Sequence, residues 1–228
     1  AVAAIDSFGV NEEVVFDIYN CYYAGYVVLI HVVGSSSRNT ITFRSKTQDS
    51  SKVVITNGSS ASSLVLDSAQ YIRFEKITIQ NTFYGSYSNV FIRAGSDFNS
   101  FVGCAFIANQ TGRFGYNIYS SAANQNKFRD CRISGGYYGL YFNGQSTTNL
   151  AKGNTLSGCV FKHQFYYGAF FYNTNFSEIA GCEFDSLYDS KAGIQLYAYN
   201  SNNLLIRSNK VLGGAYNLLL GYNNYYSS

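Results

Sequence analysis

The stretch Asn99-Ser-Phe-Val-Gly-Cys-Ala-Phe106 returns three times along the chain with the same spacing of its key residues. The later copies are Asn126-Lys-Phe-Arg-Asp-Cys-Arg-Ile133, Asn154-Thr-Leu-Ser-Gly-Cys-Val-Phe161 and Ser177-Glu-Ile-Ala-Gly-Cys-Glu-Phe184. Two further copies without cysteine, centred on Ile77 and Asn209, extend the series, so the cysteine-equivalent positions are 27, 27, 28, 23 and 27 residues apart. Six copies of one pattern indicate a structural repeat.

A repeat of this length favours a coil of parallel strands. Helical periodicity is nearly absent after the first residues, whereas short β-branched and aromatic runs bounded by Gly, Asn and Ser recur throughout. A β-sandwich would instead show hairpin turns without a fixed long period. We therefore predict an all-β solenoid, the parallel β-helix, as a single domain with coils of about 23–28 residues over residues 13–228. Small apolar residues at helical spacing predict a short capping helix within an N-terminal cap, residues 1–12.

Each repeat predicts apolar strands that face a common interior. Cys104 and Phe106 alternate as inward residues of one strand, whereas Phe101 lies three positions earlier, so a bend must separate them. A second inward pair follows each turn, as in Leu140 and Phe142. The asparagines that open three of the copies mark a corner where a side-chain amide can bond to the turn backbone or to the next coil. They are Asn99, Asn126 and Asn154.

Four of the five cysteines occupy equivalent repeat positions: Cys104, Cys131, Cys159 and Cys182. On successive parallel strands they would lie about 4.8 Å apart with parallel Cβ vectors, which is poor geometry for a disulfide. We predict a buried structural column of thiols that behave as small hydrophobic side chains.

The composition excludes several classes of function. The net charge is only +3 and 13% of residues are charged, without a Lys/Arg run that could follow a phosphate backbone, so nucleic acid is not an expected partner. No run of eighteen apolar residues occurs, so we expect no membrane insertion. Abundant Tyr, Phe, Asn, Ser and Gly are typical of secreted β-rich proteins and predict an extracellular or cell-surface location. Because the chain contains no Met, we expect a fragment or processed part of a larger surface protein.

Two stretches resemble a known family. The segment from Asn39 to Thr56, followed by Tyr71-Ile-Arg-Phe-Glu-Lys-Ile-Thr-Ile79, is similar to the opening coils of right-handed parallel β-helix domains in very large surface proteins of Bacteroidota. The repeated Asn-x-Phe-x-x-Cys-x-Ile/Phe phrase resembles their later coils, so the likeness covers nearly the whole chain. It implies a pectate-lyase-like superhelix exported by the type IX secretion system, often in adhesins or extracellular fibres. The chain departs from the family at Glu12-Glu13 and at Cys21-Tyr-Tyr, where Gly-Pro and Gly-Thr-Tyr are usual.

β-Helices also host polysaccharide lyases and hydrolases, which need clustered carboxylates and a base on one outer face. The outward positions after the Phe position run Glu75, Val102, Arg129, Ser157, Ala180 and Arg207, and those after the Cys position run Thr78, Ala105, Arg132, Val160, Glu183 and Lys210. Neither column stacks two carboxylates on neighbouring coils. Asp130 beside Arg129 and Arg132 is the densest charged spot, but a solvated ion pair explains it equally well. His31 and His163 lack partners at metal spacing. We therefore predict no catalytic residues, no metal site and no cofactor.

Outward-facing aromatic residues give a better functional hypothesis. Alternation predicts a ladder of exposed rings on adjacent coils, formed by Tyr141, Phe170, Tyr172 and Tyr197. Such a face suits contact with a glycan or another protein, although flanking loops could equally cover the rings. Ser68 and Ser186 lie in Asp-Ser-apolar triplets that match the O-glycosylation pattern of the same bacterial group, so they are candidate modification sites.

The leading hypothesis from the sequence is a non-enzymatic extracellular module with a structural or adhesive role. Its expected partners are other protein modules, copies of itself stacked end to end, and glycans. The alternative is a polysaccharide lyase or glycoside hydrolase that acts on an extracellular glycan. A glycan binder similar to phage tailspikes is the third hypothesis.

Overall fold

The computed structural model describes residues 2–83, 87–109, 115–185 and 193–221. In these residues one helix, α1 (Val2–Phe8), precedes the strands of three eight-stranded sheets, A, B and C, and of a two-stranded ladder. Successive coils pair in parallel in all three sheets. The predicted all-β parallel solenoid with a short N-terminal helix is confirmed.

Each coil contributes one strand to each sheet, and we number the coils 1 to 8 by their strand in sheet A. Sheet A contains β1 (Val14–Ile18), β4 (Ile41–Ser45), β7 (Ile72–Glu75), β10 (Ser100–Val102), β13 (Lys127–Arg129), β17 (Thr155–Ser157), β21 (Glu178–Ala180) and β24 (Leu205–Arg207). Sheet B contains β2 (Cys21–Ala24), β5 (Val53–Asn57), β8 (Thr78–Asn81), β11 (Ala105–Ala108), β14 (Arg132–Ser134), β18 (Val160–Lys162), β22 (Glu183–Asp185) and β25 (Lys210–Leu212). Sheet C contains β3 (Val27–Leu29), β6 (Leu64–Leu66), β9 (Ser88–Ile92), β12 (Tyr116–Ser121), β15 (Tyr138–Asn143), β19 (Tyr167–Tyr172), β23 (Ile194–Tyr199) and β26 (Tyr216–Leu220). The short ladder pairs β16 (Ala151–Lys152) with β20 (Thr174–Asn175).

The core consists of like side chains stacked in register along the solenoid axis. The rings of Phe43, Phe74, Phe101 and Phe128 follow one another at centroid distances of 5.6, 5.1 and 4.8 Å, with nearly parallel planes. Burial of each such side chain contributes about 1.5–3 kcal/mol. Because side chains alternate between the two faces of a strand, a slip of one residue would turn the whole column outward. The stacked column therefore fixes the register of the coils.

The corner before sheet A contains the predicted asparagine column, which is completely buried. Oδ1 of Asn99 accepts a hydrogen bond from the backbone N–H of Ile72 at 2.9 Å. In the same way, Oδ1 of Asn126 accepts from Asn99 N–H and Oδ1 of Asn154 accepts from Asn126 N–H, both at 3.0 Å. The amides thus satisfy buried turn groups that would otherwise lack a partner.

Removal of one amide from this column is expected to destabilise the fold. In the Asn126→Ala variant the buried N–H of Asn99 loses its acceptor, which should lower the free energy of unfolding by about 1–3 kcal/mol. Chemical denaturation measures the change, and Asn149→Ala in an exposed turn is the matched control. Equal midpoints for the two variants would contradict the role assigned to the column.

The four repeat cysteines are buried and none forms a disulfide. The Cys131 thiol donates to Phe101 O at 3.4 Å and to Arg129 O at 3.3 Å. Burial raises the pKa of the Cys131 thiol well above its usual value, so the thiol stays protonated and unreactive. Cys21, on β2, is exposed.

This contrast predicts the result of thiol labelling. A water-soluble thiol reagent should modify Cys21 alone in the folded protein and all five cysteines after denaturation. Mass spectrometry of the intact protein counts the labels. Rapid labelling of two or more thiols under native conditions would contradict the burial of the column.

Helix α1 lies over the first coil. Ile5 is buried in the core, and Val2 packs against the same cluster. No helix within the described ranges is both long and apolar enough to cross a bilayer.

Candidate functional site

The predicted aromatic residues all lie on the outer face of sheet C, but they form two columns. Tyr141, Phe170 and Tyr197 share one register position, with ring centroids 4.7 and 4.5 Å apart and planes within 9°. Tyr172 lies two residues further along its strand and pairs with Tyr199, at a centroid distance of 5.4 Å. The expected single ladder of four rings is thus divided between neighbouring columns.

A third column widens this aromatic face. Tyr116, Tyr138 and Tyr167 stack at centroid distances of 4.9 and 4.7 Å beside the Tyr141 column. Strands β9 to β23 of sheet C contain no charged residue. The rings are half-buried, and each packs its face against the ring of the next coil. A sugar ring stacks on an exposed aromatic face, so the middle of this array presents little surface for that interaction.

The same packing perturbs the tyrosine hydroxyls. Burial raises the pKa of Tyr138 and Tyr141 above the ordinary value, and raises the pKa of Tyr167 to about 12. Neutral phenols are therefore favoured in the folded state, because a phenolate in this apolar array would lose its hydration.

These pKa shifts predict a loss of stability in alkali. Unfolded tyrosines ionise near pH 10, so the stabilisation is complete below about pH 10 and is lost as the pH rises through about 12. Tyrosinate absorbance should show that these tyrosines ionise above pH 10. Denaturation midpoints should fall over the same pH range, because ionisation is coupled to unfolding. Ionisation of all tyrosines near pH 10 in a protein that stays folded would contradict the burial of this face.

A groove runs along the solenoid axis over the outer face of sheet A. Its larger part, about 420 Å³, is lined by residues of coils 2 to 6, from Ser37 to Ser157. An adjoining part of about 290 Å³ continues to Glu13 beside coil 1. The two parts share Tyr71 and Phe98, so the groove is continuous across six coils.

Two outward columns of sheet A form the floor of the groove. Parallel register aligns equivalent positions, so each coil places two side chains on the floor. The first column runs Thr42, Arg73, Ser100, Lys127, Thr155 and Glu178, and the second runs Arg44, Glu75, Val102, Arg129, Ser157 and Ala180. Basic and hydroxyl side chains predominate on the middle coils.

Residues in left-handed backbone conformation border the groove. Tyr71, Phe98 and Gln125 have φ values of 59°, 61° and 57°, a region that side-chain-bearing residues seldom adopt. They occupy the same corner position on coils 3, 4 and 5. Tyr71 directly precedes strand β7, and Phe98 and Gln125 directly precede the corner asparagines of their coils. The rings of Tyr71 and Phe98 stack at 5.0 Å with planes 3° apart, and Phe98 is 46% exposed. The groove thus combines a polar floor with an aromatic edge.

The cations at the coil 1–3 end of the groove are already paired. Arg44 Nε donates to Asp17 Oδ1 at 2.6 Å, and this contact holds the pKa of the Asp17 carboxyl below its usual value. Arg73 forms an ion pair with Glu75 in the next outward position. These side chains therefore add no net positive charge to their end of the groove.

Coil 5 differs because it places two cations on the floor of the groove that share a single, long ion pair with a carboxylate. Among the described residues, no carboxylate lies within ion-pair distance of Lys127. Arg129 lies 3.8 Å from Asp130, and both side chains are largely exposed. Lys127 and Arg129 stand side by side on β13 as outward residues in the middle of the groove. They form its positive centre, in which Arg129 has one long ion pair and Lys127 has none among the described residues.

The structure separates the charged spot that the sequence suggested. Asp130 has a φ of 54° at the corner between sheets A and B. Arg129 belongs to the groove of sheet A, whereas Arg132 lies on the outer face of sheet B.

In the described part of the chain, no three His, Cys, Asp or Glu residues are grouped so as to hold a metal ion. Ser68 is exposed, and Ser186 lies outside the described residues.

Sequence reasoning missed the groove because it considered one outward column of sheet A and not its neighbour. The column before the Phe position contains Arg73 and Lys127, and reading both columns together would have shown two cations on coil 5. The corner position before sheet A was a second available signal, since Tyr71 and Phe98 place aromatic residues there on neighbouring coils.

Comparison with known proteins shows which family model part of the chain matches and which solved structures share its fold. Residues 122–227 match the family model described as a right handed beta helix region. The fold is similar to that of a pectin methylesterase variant in complex with a hexasaccharide, with 12% identity and a TM-score of 0.57 over 100% of this chain and 88% of that chain. It is also similar to an alginate lyase from Paenibacillus sp. str. FPU-7, with 12% identity and a TM-score of 0.53 over 99% and 91% of the respective chains. No curated protein matches the chain.

These comparisons correct one prediction. The expectation of a protein that is not an enzyme is wrong, because the solved structures that share this fold over nearly their whole length are enzymes named for polysaccharides. That expectation depended on the absence of stacked carboxylates. Not every reaction on a glycan requires stacked carboxylates. The chain is a right-handed parallel β-helix whose residues 122–227 carry the pattern of the right-handed β-helix family.

Proposed function

We propose that the protein is an extracellular enzyme that acts on an acidic polysaccharide bound along the groove of sheet A. The observation that carries the proposal is the pair Lys127 and Arg129, two cations on one coil in the middle of an open groove. An acidic sugar would supply the carboxylate that the described protein residues do not place beside Lys127, and a closer partner for Arg129 than Asp130 at 3.8 Å. Charge-assisted hydrogen bonds of this kind are about twice as strong as neutral ones.

The arrangement suits β-elimination better than hydrolysis. Glycoside hydrolases use two carboxyl groups about 5–9.5 Å apart on either side of the scissile bond. Asp17 and Glu75 share one column of the groove, but Arg44 lies between them and ion pairs engage both. A lyase instead needs a cation for the uronate carboxylate and a base for the adjacent carbon, and coil 5 supplies both.

The roles on coil 5 follow from side-chain chemistry. The Arg129 guanidinium binds the uronate carboxylate and stabilises the negative charge that develops when the adjacent C–H bond breaks. The Lys127 side chain first loses a proton to solvent, and its neutral amine then accepts the proton from carbon as general base and becomes an ammonium again. The C–O bond to the leaving sugar then breaks, its oxygen takes a proton from water, and a carbon–carbon double bond remains in the other product. No oxidant or reductant is required.

Neighbouring coils supply the contacts that hold the chain in place. Ser100 and Thr155 flank Lys127 in its column, and Ser157 follows Arg129 in the other. Their hydroxyls can exchange hydrogen bonds with sugar hydroxyls. The stacked rings of Tyr71 and Phe98 add apolar contact at the edge of the groove. Positioning by several coils would restrict cleavage to the sugar above coil 5.

The Lys127→Gln variant tests the proposal. Loss of the general base should lower kcat/KM by about 10²-fold or more on a polyuronate that the wild type cleaves. The assay follows the ultraviolet absorbance of the unsaturated uronate, across a panel of acidic and neutral polysaccharides.

Lys210→Gln is the matched control, because it removes the same charge from an exposed position on sheet B. It should leave the rate unchanged. Equal rates for Lys127→Gln and wild type, or new reducing ends without unsaturated product, would overturn the assignment of an elimination to coil 5. Absence of cleavage of every polysaccharide would overturn the enzymatic proposal.

The proposal includes an extracellular location and a glycan as the principal partner. Origin in a Bacteroidota surface protein stays a prediction from the sequence resemblance. The aromatic face of sheet C also stays a predicted contact surface. Its lack of charge makes it chemically distinct from the groove of sheet A.

A further inference from the structure

The charge of the groove varies from coil to coil in a way that specifies the order of sugars in a bound chain. Resting on the proposed function, we infer that the substrate is a heteropolymer in which an acidic sugar lies between uncharged sugars. The inference concerns the sequence of the glycan, whereas the proposal above concerns the reaction.

The spacing of the coils makes the groove a linear array of sugar positions. Adjacent parallel strands are about 4.8 Å apart, which is close to the length of one sugar in an extended polysaccharide. The groove follows the solenoid axis across successive coils. A chain lying in it therefore places approximately one sugar above each coil.

Among the described floor residues of coils 4 to 6, positive charge lies on coil 5 alone, where Lys127 has no carboxylate within ion-pair distance and Arg129 has Asp130 at 3.8 Å. Its floor residues are Lys127 and Arg129. On coil 4 the equivalent residues are Ser100 and Val102, and on coil 6 they are Thr155 and Ser157. One position thus favours a carboxylate, and both adjacent positions present hydroxyl or apolar side chains without charge.

The coils on either side of this central part disfavour further carboxylates. Arg44 and Arg73 on coils 2 and 3 already bind Asp17 and Glu75. An additional carboxylate above them would approach Glu75, and Glu13 lines the same part of the groove. On coil 7 the outward residue is Glu178, which Arg207 contacts from coil 8 at 2.7 Å. A homopolymer of uronates would therefore place carboxylates near like charges or over uncharged coils, which weakens its binding.

Two oligosaccharides of equal length test the inference on the intact wild-type chain. One is a homo-oligouronate and the other carries a single uronate between neutral hexoses. Calorimetry at low temperature should give a Kd about tenfold lower for the mixed oligosaccharide. Lys127→Gln should weaken binding of the mixed oligosaccharide by a similar factor.

The Glu75→Gln variant gives a test in the opposite direction. Because it removes a negative charge from the groove and releases Arg73, it should strengthen binding of the homo-oligouronate and reduce the preference to about threefold. Glu183→Gln, an equivalent change on sheet B, is the control and should alter neither Kd.

The outcomes separate the two proposals. Equal or tighter binding of the homo-oligouronate by the wild type, or a preference that Glu75→Gln leaves unchanged, would overturn the heteropolymer and leave an acidic-glycan enzyme in place. Binding of the mixed oligosaccharide that is indifferent to Lys127→Gln would overturn coil 5 as the acidic-sugar position. Failure of both oligosaccharides to bind would overturn both proposals.

Discussion

The in-register hydrogen-bonded ladder between coils is the constraint on which every other feature depends. Because each strand pairs in parallel with its equivalent on the next coil, each sequence position becomes a column along the solenoid. Inward columns stack phenylalanines and thiols, and the corner column stacks amides. Outward columns give the aromatic face of sheet C and the floor of the sheet A groove. One backbone geometry thus produces both the core and the surface on which the proposed chemistry takes place.

The ladder also separates stability from function. The rings of Phe101 and Phe128 and the amide of Asn126 stabilise adjacent coils from the inside, where any change leaves a cavity or an unpaired polar group. Lys127 and Arg129 lie on the same short strand as Phe128 but face solvent. Substitution of an exposed side chain usually changes stability little. A single coil can therefore acquire a cationic centre without cost to the packing beneath it.

The sequence alone predicted the coil length and most of the buried columns, because the residues that face the interior recur from coil to coil. The spacing of Cys104 and its equivalents defined the coil length, and Asn99 marked a corner that the structure shows as a buried amide column. Outward residues vary between coils, so a search for recurrence passes over them. Tyr172 lies two residues after the position that aligns with Tyr141. Alternation assigns both positions to the outer face and therefore does not show that they belong to different columns. The left-handed conformation of Tyr71 and Phe98 is likewise set by the closure of the coil rather than by residue preference.

In a solenoid, therefore, the positions that break the repeat are the ones to examine for function. Coils 4, 5 and 6 have equivalent backbones in sheet A, yet of these three only coil 5 places cations, Lys127 and Arg129, on the floor of the groove, and their one ion pair is a long one. A structural spacer gains little from such an exception, because repulsion between neighbouring cations opposes folding slightly and the exposed Arg129–Asp130 pair offsets it only in part. A bound acidic sugar would remove that repulsion. The exception therefore supports the proposal of an acidic ligand, and in that proposal the regular coils on either side determine where along the chain the ligand lies.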